Sequence, residues 1–261
     1  MTGNVIVLLA RPLKLEKANI AAATSLWSLA MLYDIEVVIA DLPMRMEKLL
    51  SEIDDPEELM RRAVELGLIP ASQSFIRPYR PILKSLCDLI KSGVDVKCCL
   101  ASDAIKDQYE VGVKTLRLML KASIRGVDNI DLNEWLKLLE DNKLQVSRRI
   151  SDIVNAISRA GNRRVIALTG LEGIEVSRTL KKMGLSVKMH IVGLPYLYTP
   201  IEVMYKRYSQ GSIKPSELKK LIEEHINYIK NYVLRHDNLD EAHQAWSMDK
   251  APWLTSFIRW S

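Results

Sequence analysis

Short apolar runs alternate along the chain with longer stretches in which apolar residues recur three and four positions apart. Runs that are apolar at nearly every position are typical of strands buried on both faces of a parallel sheet, and the longer stretches have the period of amphipathic helices. The predicted strands are residues 4–9, 36–40, 94–100, 163–169 and 185–192. The predicted helices between them include residues 17–33, 81–93, 103–125, 131–159 and 172–183.

This order of elements predicts an α/β fold, because strands alternating with helices form a largely parallel sheet covered on both faces. We expect two βαβ-like halves, each with a right-handed crossover, separated by a helical middle insertion. After Pro195 the strand pattern ends, and three helices are predicted at 200–208, 215–235 and 239–246. We therefore predict an α/β domain at residues 1–200 and a helical, Trp-rich C-terminal appendage at residues 201–261.

Proline, glycine and acidic residues mark the ends of the shorter helices. Asp55 followed by Pro56 is a helix-start signal, and Gly67 is placed where that helix would end. Residues 70–81 contain three prolines, which predicts an irregular connection with a helix beginning only at Pro81.

The composition indicates a folded protein without a membrane span. Apolar residues make up 48% of the chain and charged residues 26%, and no apolar stretch approaches the about 20 residues of a transmembrane helix. The N-terminus lacks the features of a signal peptide, so we expect a cytoplasmic protein.

The three cysteines, Cys87, Cys98 and Cys99, have no metal-binding spacing and are predicted to be small buried residues. Few glutamines with many charged residues and isoleucines suggest a thermophilic source.

A net charge of +5 leaves nucleic acid open as a partner. The basic pairs are spread along the chain, however, and fall on predicted helix faces or beside strands. They include Arg61-Arg62, Arg148-Arg149, Arg163-Arg164 and Lys181-Lys182. A solvated charged surface is therefore the favoured interpretation.

Two positions are candidates for chemistry at the carboxyl ends of strands, where parallel sheets place their crevices. Asp41 directly follows the second strand, and Arg45 lies one helical turn later. Asp41 would be either a catalytic acid that Arg45 orients, or a helix cap that forms a salt bridge with Arg45. Gly170–Ile174 follows the fourth strand and begins a helix, where backbone N–H groups favour anions. Glu172 in this turn would be a carboxylate ligand, a general base, or an ordinary first-turn residue.

Histidines and tryptophans cluster near the C-terminus. His236, Asp240 and His243 would share one face of a continuous helix in zinc-ligand geometry, but a polar solvated helix is the favoured interpretation, so no metal ligand is predicted. The aromatic residues there, which we expect to dock on this chain, on a second copy or on another protein, are Trp246, Trp253, Phe257 and Trp260.

Three segments together resemble a known family. The first, residues 36–50, is predicted to be a strand that ends in an acidic residue, followed by an arginine and a leucine-rich helix. The second, residues 142–160, is predicted to be helical. The third, residues 163–184, is predicted to be a strand, a glycine turn and a helix. In this order they resemble the TraB/PrgY and ChaN-like proteins of the TIKI-type superfamily, over about residues 4–200. The resemblance implies a fold of two βαβ-like halves.

The resemblance also assigns roles to residues. Asp41 and Arg45 match the family's acidic residue and arginine, and Arg148 or Arg149 matches the arginine of the preceding helix. The ligand-binding positions it implies are Gly170, Gly173, Arg148 and Arg149. Active members are expected to be metal-dependent hydrolases with a Gly-x-x-His motif in each half, but residues 8–12 and 169–172 of this chain contain no histidine.

Three functions follow as hypotheses. The leading one is a catalytically degenerate TraB/TIKI-like protein that acts as a binding or assembly subunit, with its C-terminal aromatic tail in contact with a protein partner or a second copy. The first alternative is a hydrolase of peptide or ester bonds at a crevice formed by Asp41, Arg45 and Glu172, where the two carboxylates would hold a divalent cation, although they are few for that. The second alternative is nucleic-acid binding.

Overall fold

The structure is a computed structural model that describes residues 5–193, 195–211 and 213–251, apart from the side chains of residues 73–75. The strands are β1 (Ile6–Ala10), β2 (Val37–Pro43), β3 (Asp95–Leu100), β4 (Val165–Thr169) and β5 (Val187–Ile191). The α-helices are α1 (Glu16–Leu32), α2 (Met46–Glu52), α3 (Pro56–Glu65), α4 (Gln73–Lys91), α5 (Ala104–Arg125), α6 (Leu132–Arg159), α7 (Gly173–Lys182), α8 (Pro200–Ser209), α9 (Pro215–Asn231) and α10 (Leu239–Lys250).

The described strands form one sheet in the order β3-β2-β4-β1-β5, and every pairing is parallel. This confirms the α/β prediction. The two βαβ-like halves are interleaved: β4, from the second half, lies between β1 and β2 of the first. The carboxyl ends of β1, β4 and β2 are therefore neighbours, so residues after these strands meet at one rim.

Helices cover both faces of the sheet, and the side chains of each strand alternate between two apolar cores. In β1, Val7 and Leu9 belong to the core shared with α1, α2, α3 and α4. Ile6 and Leu8 belong to the opposite core, to which α7, the end of α6 from Ile153 onward and the following Ala160 contribute. Burial on both faces explains why the central strands β1, β2 and β4 are apolar at consecutive positions.

The chain divides into two compact units, unit 1 being Met1–Asp107 with Val146–Leu194 and unit 2 being Gln108–Gln145 with Pro195–Ser261. This division differs from the boundary predicted at residue 200. The physical reason is a shared core in unit 2, in which the middle helices bury apolar residues with the C-terminal ones, as Trp135 does with Met204 and Ile222.

Helix α4 shows that the irregular connection predicted at residues 70–81 is wrong. Asp55 does cap α3 as expected, accepting hydrogen bonds from two backbone N–H groups. However, α4 begins at Gln73 and contains Pro78 and Pro81. A proline inside a helix costs about 3 kcal/mol. Burial of one face of α4 against α1, including Ile82 and Leu83, offsets that cost.

All three cysteines are buried and free, as predicted. Across the part of the chain that the structure describes, no helix is both long enough and apolar enough to cross a membrane.

Candidate functional site

Arg11 lies at the centre of a buried polar cluster at the carboxyl-end rim of the sheet. Its guanidinium is fully buried and donates from Nη2 to Asp41 Oδ1 at 3.0 Å, from Nε to Asn19 Oδ1 at 2.8 Å and from Nη1 to the backbone oxygen of Thr169 at 3.1 Å. These contacts join β1, α1, β2 and β4. We call Arg11, Asn19, Asp41, Arg149, Thr169 and Glu172 the rim cluster.

Asp41 is also fully buried, because it lies within β2, which extends beyond the predicted strand end to Pro43. Arg11 binds one carboxylate oxygen, and the Nη2 atom of Arg149 lies 3.7 Å from the other. A buried carboxylate is tolerated only when cations or hydrogen-bond donors compensate for its lost hydration. The two arginines supply that compensation.

Arg149, on α6, connects Asp41 to Glu172. Its Nε and Nη2 atoms donate to Glu172 Oε1 at 3.1 and 2.9 Å, and the backbone N–H of Gly170 donates to the same oxygen at 3.3 Å. Burial acts to lower the pKa of Arg149, but the carboxylates of Glu172 and Asp41 outweigh it and raise that pKa above its usual value. Arg149 is therefore a permanent cation held between two carboxylates.

Tyr79 lies within electrostatic range of this cluster from α4. Burial, followed by the charge of Asp41, raises the pKa of Tyr79 to about 12. The phenol stays neutral at physiological pH, so it adds no charge to the rim cluster, which has two arginines and two carboxylates.

The rim cluster does not fit a divalent cation. Each carboxylate is already bound by an arginine, and a hard cation prefers six or more oxygen ligands. Among the described residues, no group of three or more His, Cys, Asp or Glu side chains is arranged to hold a metal ion. Asp41 Oδ2 and Thr169 Oγ1 have no hydrogen-bond partner there. Two atoms next to guanidinium groups do not make a cation site.

The glycine turn after β4 is closely packed. A Cβ atom on Gly173 would lie 2.2 Å from Thr169 Oγ1 and 3.3 Å from Ala10 Cβ, and one on Gly170 would lie 2.2 Å from the Glu172 carboxylate. These glycines therefore let α7 and Glu172 approach the rim, and in this structure they contact the protein's own side chains rather than an open cavity.

Gly173→Ala is expected to lower the free energy of unfolding by about 1–3 kcal/mol, because the new methyl group overlaps a buried side chain. Gly112→Ala is the matched control: Gly112 lies within α5 with open space around it, so alanine there should stabilise by about 0.5–1 kcal/mol. Urea denaturation followed by circular dichroism measures both. Equal effects of the two substitutions would contradict the tight packing at Gly173.

The structure brings together five of the seven predicted catalytic and ligand-binding residues. Asp41, Glu172, Arg149, Gly170 and Gly173 meet in or beside the rim cluster. Two predicted residues do not join them. Arg45 is exposed at the start of α2, so the predicted pair of Asp41 with Arg45 is wrong. Arg148 is also exposed, and its ion pair at 4.0 Å is with Asp107. Consecutive residues of α6 point about 100° apart, so only one of the two arginines reaches the rim.

Sequence reasoning missed Arg11, Asn19 and Thr169. Arg11 had the same signal as Asp41, a charged residue placed directly after an entirely apolar strand. Asn19 had a weaker signal, an amide on the buried side of α1 that needs hydrogen-bond partners; it donates to the backbone oxygens of Leu13 and Leu15.

A groove of about 920 Å³ runs along β3 between α2 and α6. Several of its charged groups are paired with one another: Lys97 contacts Glu47 and Asp95, each at 3.1 Å. Burial raises the pKa of the Cys98 and Cys99 thiols, which line the groove, far above the usual range. Neither thiol is a nucleophile at neutral pH.

The zinc-ligand geometry that we considered for His236, Asp240 and His243 is absent. Backbone at His236 is extended, and α10 begins only at Leu239. The Nδ1 atom of His236 lies 2.7 Å from the backbone oxygen of Tyr232. His243 is buried, with Nε2 2.9 Å from the backbone oxygen of Leu197 and its ring stacked on Tyr196.

His243 is expected to make stability depend on pH. Burial lowers its pKa below the usual 6.5, so the unfolded chain binds a proton that the folded chain does not. The free energy of unfolding should therefore fall as pH drops through about 6.5 toward 5. Denaturant titrations at several pH values measure this slope. His243→Gln should flatten it, and an unchanged slope in that variant would contradict the assignment.

Trp246 packs within its own unit. The indole is buried and lies 5.3 Å from the Tyr228 ring, edge to face, and 5.8 Å from the His243 ring. It therefore offers little surface to a partner. Of the three docking alternatives, packing on its own chain is the one that the structure shows for Trp246. Trp253, Phe257 and Trp260, the other predicted partner-binding residues, lie outside the described residues.

The fold and the rim cluster define an α/β protein with a parallel sheet whose carboxyl-end crevice is filled by its own charged side chains. Comparison of the chain with protein-family models, with curated proteins and with solved structures finds no match. The resemblance to the TIKI-type superfamily therefore stays a prediction.

Proposed function

We propose that this protein is a catalytically degenerate α/β protein of TraB/TIKI type that acts as a binding or assembly subunit. The observation that carries the proposal is the closure of the crevice at the ends of β1, β4 and β2. Asp41, the residue best placed for catalysis, has a relative exposure of 0% and is held by Arg11 and Arg149. A catalytic carboxylate must reach its substrate, and this one has no access to solvent.

The surface supplies the second support. In unit 1, α1 exposes Ile20, Trp27 and Met31, and in unit 2, α5 exposes Leu116, Leu120 and Ile124. Contiguous exposed apolar side chains on a soluble domain are typical of interaction sites. The binding function therefore depends on helix surfaces, and the C-terminal aromatic residues remain a further predicted contact.

The hydrolase alternative receives less support. It requires Asp41, Arg45 and Glu172 to surround a substrate, but Arg45 is exposed elsewhere. Asp41 and Glu172 are joined through Arg149 rather than through open space. The nucleic-acid alternative rests only on net charge, and many of the basic side chains are in ion pairs, such as Arg61 with Glu58 and Arg163 with Asp95.

Elemental analysis combined with peptide and ester hydrolysis assays tests the proposal. The wild type is expected to carry no stoichiometric metal and to hydrolyse neither substrate class, and Glu172→Gln is expected to lower stability. Glu175→Gln is the matched control, because Glu175 is an exposed neighbour whose partner is Arg178. A stoichiometric metal, or hydrolysis, that is lost in Glu172→Gln but kept in Glu175→Gln would overturn the proposal.

A further inference from the structure

We propose that two copies of this chain associate through the outer edge of β5 and the adjoining outer face of α1. The inference rests on the proposed binding or assembly function and names its partner as a second copy. In this arrangement the two β5 strands pair antiparallel about a two-fold axis, which continues the sheet from one copy into the other. The two α1 helices then pack side by side above the joined sheet.

Among the described strands, β5 has an outer edge whose backbone groups pair with no other strand. β5 is the last strand of the sheet, with β1 on its inner side. The N–H of Val192 donates to Ala10 on β1, so by the alternation of a strand His190 and Lys188 also face β1. Met189 and Ile191 then direct their N–H and C=O groups outward. Such an edge is a template for another strand.

The opposite edge of the sheet is protected. The side chain of Glu47 accepts a hydrogen bond from the backbone N–H of Cys98 at 3.1 Å, and that of Asp152 accepts one from Ala101 at 3.3 Å. Lys97 and Asp95 add charges along β3. Charges and side-chain caps block pairing on an edge strand, so sheet extension is directed to β5.

Helix α1 presents an apolar outer face beside this edge. The chain contains no charged residue between Lys17 and Asp34. Trp27 is 40% exposed, Met31 54% and Leu32 71%. An uncharged helix whose outer face carries large apolar side chains is normally covered on that face, and no described residue of the single chain covers it here.

The polar groups on that face do not oppose burial. Thr24 Oγ1 donates to the backbone oxygen of Ile20, and Ser28 Oγ donates to that of Thr24. Both hydroxyl groups therefore keep a hydrogen bond when water is removed.

Two contacts show that α1 runs alongside β5. Near the start of α1, Ala18 lies so close to Gly193, just after β5, that a Cβ atom on this glycine would be 2.8 Å from Ala18 Cβ. At the end of α1, the Lys188 ammonium lies 4.3 Å from the centre of the Tyr33 ring. A strand added to β5 therefore brings its own helix against the outer face of α1.

Self-association matches these features better than binding of an unrelated strand. A two-fold axis at Met189 pairs the outward residues of one β5 with those of the other, and it places Lys188 opposite His190 rather than opposite a second lysine. The face is about 25 Å long and two layers, about 20 Å, deep. That area, about 500 Å² per partner and so about 1,000 Å² in total, is at the lower limit for a specific interface.

Sedimentation velocity over a dilution series tests the inference with the full chain. The wild type is expected to form a dimer, and Met31→Glu should raise the dimer dissociation constant by about 100-fold, because it places a charge in a desolvated contact. Leu144→Glu is the matched control: Leu144 is 51% exposed on α6 of unit 2, outside both apolar surfaces named above, and its substitution should leave the constant unchanged. Ile191→Pro, which removes an outward N–H group, should also dissociate the dimer. Circular dichroism confirms that each variant is folded.

A wild type that stays monomeric at every concentration would overturn the inference. Dissociation caused by Leu144→Glu instead of Met31→Glu would also overturn it, although assembly itself would then stand. A folded Ile191→Pro variant that dimerises like the wild type would exclude strand pairing. The proposed function fails by a different result, a metal or a hydrolytic activity that depends on Glu172.

Discussion

Asp41→Asn is expected to lower the free energy of unfolding by about 3–5 kcal/mol, because it leaves the buried guanidinium of Arg11 and its neighbour Arg149 without a full counter-charge. Arg11 still has Asn19 and the Thr169 oxygen, but neither carries a charge. Urea denaturation followed by circular dichroism gives the loss, and hydrogen exchange of the β1, β2 and β4 amides locates it in unit 1.

Glu175→Gln is the control for this prediction. It removes an exposed ion pair with Arg178, and exposed pairs contribute at most about 1 kcal/mol. If Asp41→Asn cost no more than this control, the buried pair would not hold the rim cluster together.

Trp135→Ala is expected to have an effect of similar size in unit 2. The indole is 1% exposed and packs in the core formed by the middle and C-terminal helices. Truncation of a buried tryptophan typically costs about 3–5 kcal/mol. Hydrogen exchange in α8 and α9 should accelerate, since those helices share its core.

Leu136→Ala is the matched control for that prediction. Leu136 follows Trp135 on α6 but is exposed, so its truncation should change stability by about 0.5 kcal/mol or less. Faster exchange in α5 and α6 alone, with α8 and α9 unaffected, would show that the middle helices do not share a core with the C-terminal ones.

The fold class was predictable because burial on both faces makes the central strands β1, β2 and β4 apolar at nearly every position. The interleaving of the halves was not, because strand order depends on contacts between segments far apart in the chain. Pro78 and Pro81 show the same limit at local scale: the sequence predicts an irregular connection, but burial of the face that carries Ile82 and Leu83 keeps α4 helical.

The sequence predicted where the candidate site lies, but it predicted only some of the residues that form it. The rule that residues after parallel strands meet at one rim identified Asp41 and Gly170, and the family resemblance added Arg149. The same rule applied to β1 would have identified Arg11. No sequence rule separates Arg148 from Arg149, because the choice depends on the rotation of α6 against the sheet.

The proposed function requires that the rim cluster stabilises the fold and is not an active site. A double-mutant cycle of Arg11→Met and Asp41→Leu, measured by equilibrium unfolding, tests this directly. We predict that each single substitution destabilises the protein and that the double variant regains part of the lost stability, with a coupling free energy of about 2–3 kcal/mol. Active-site carboxylates commonly lower the stability of the folded protein. An Asp41→Leu protein that is as stable as the wild type, or more stable, would therefore contradict a stabilising role of the rim cluster.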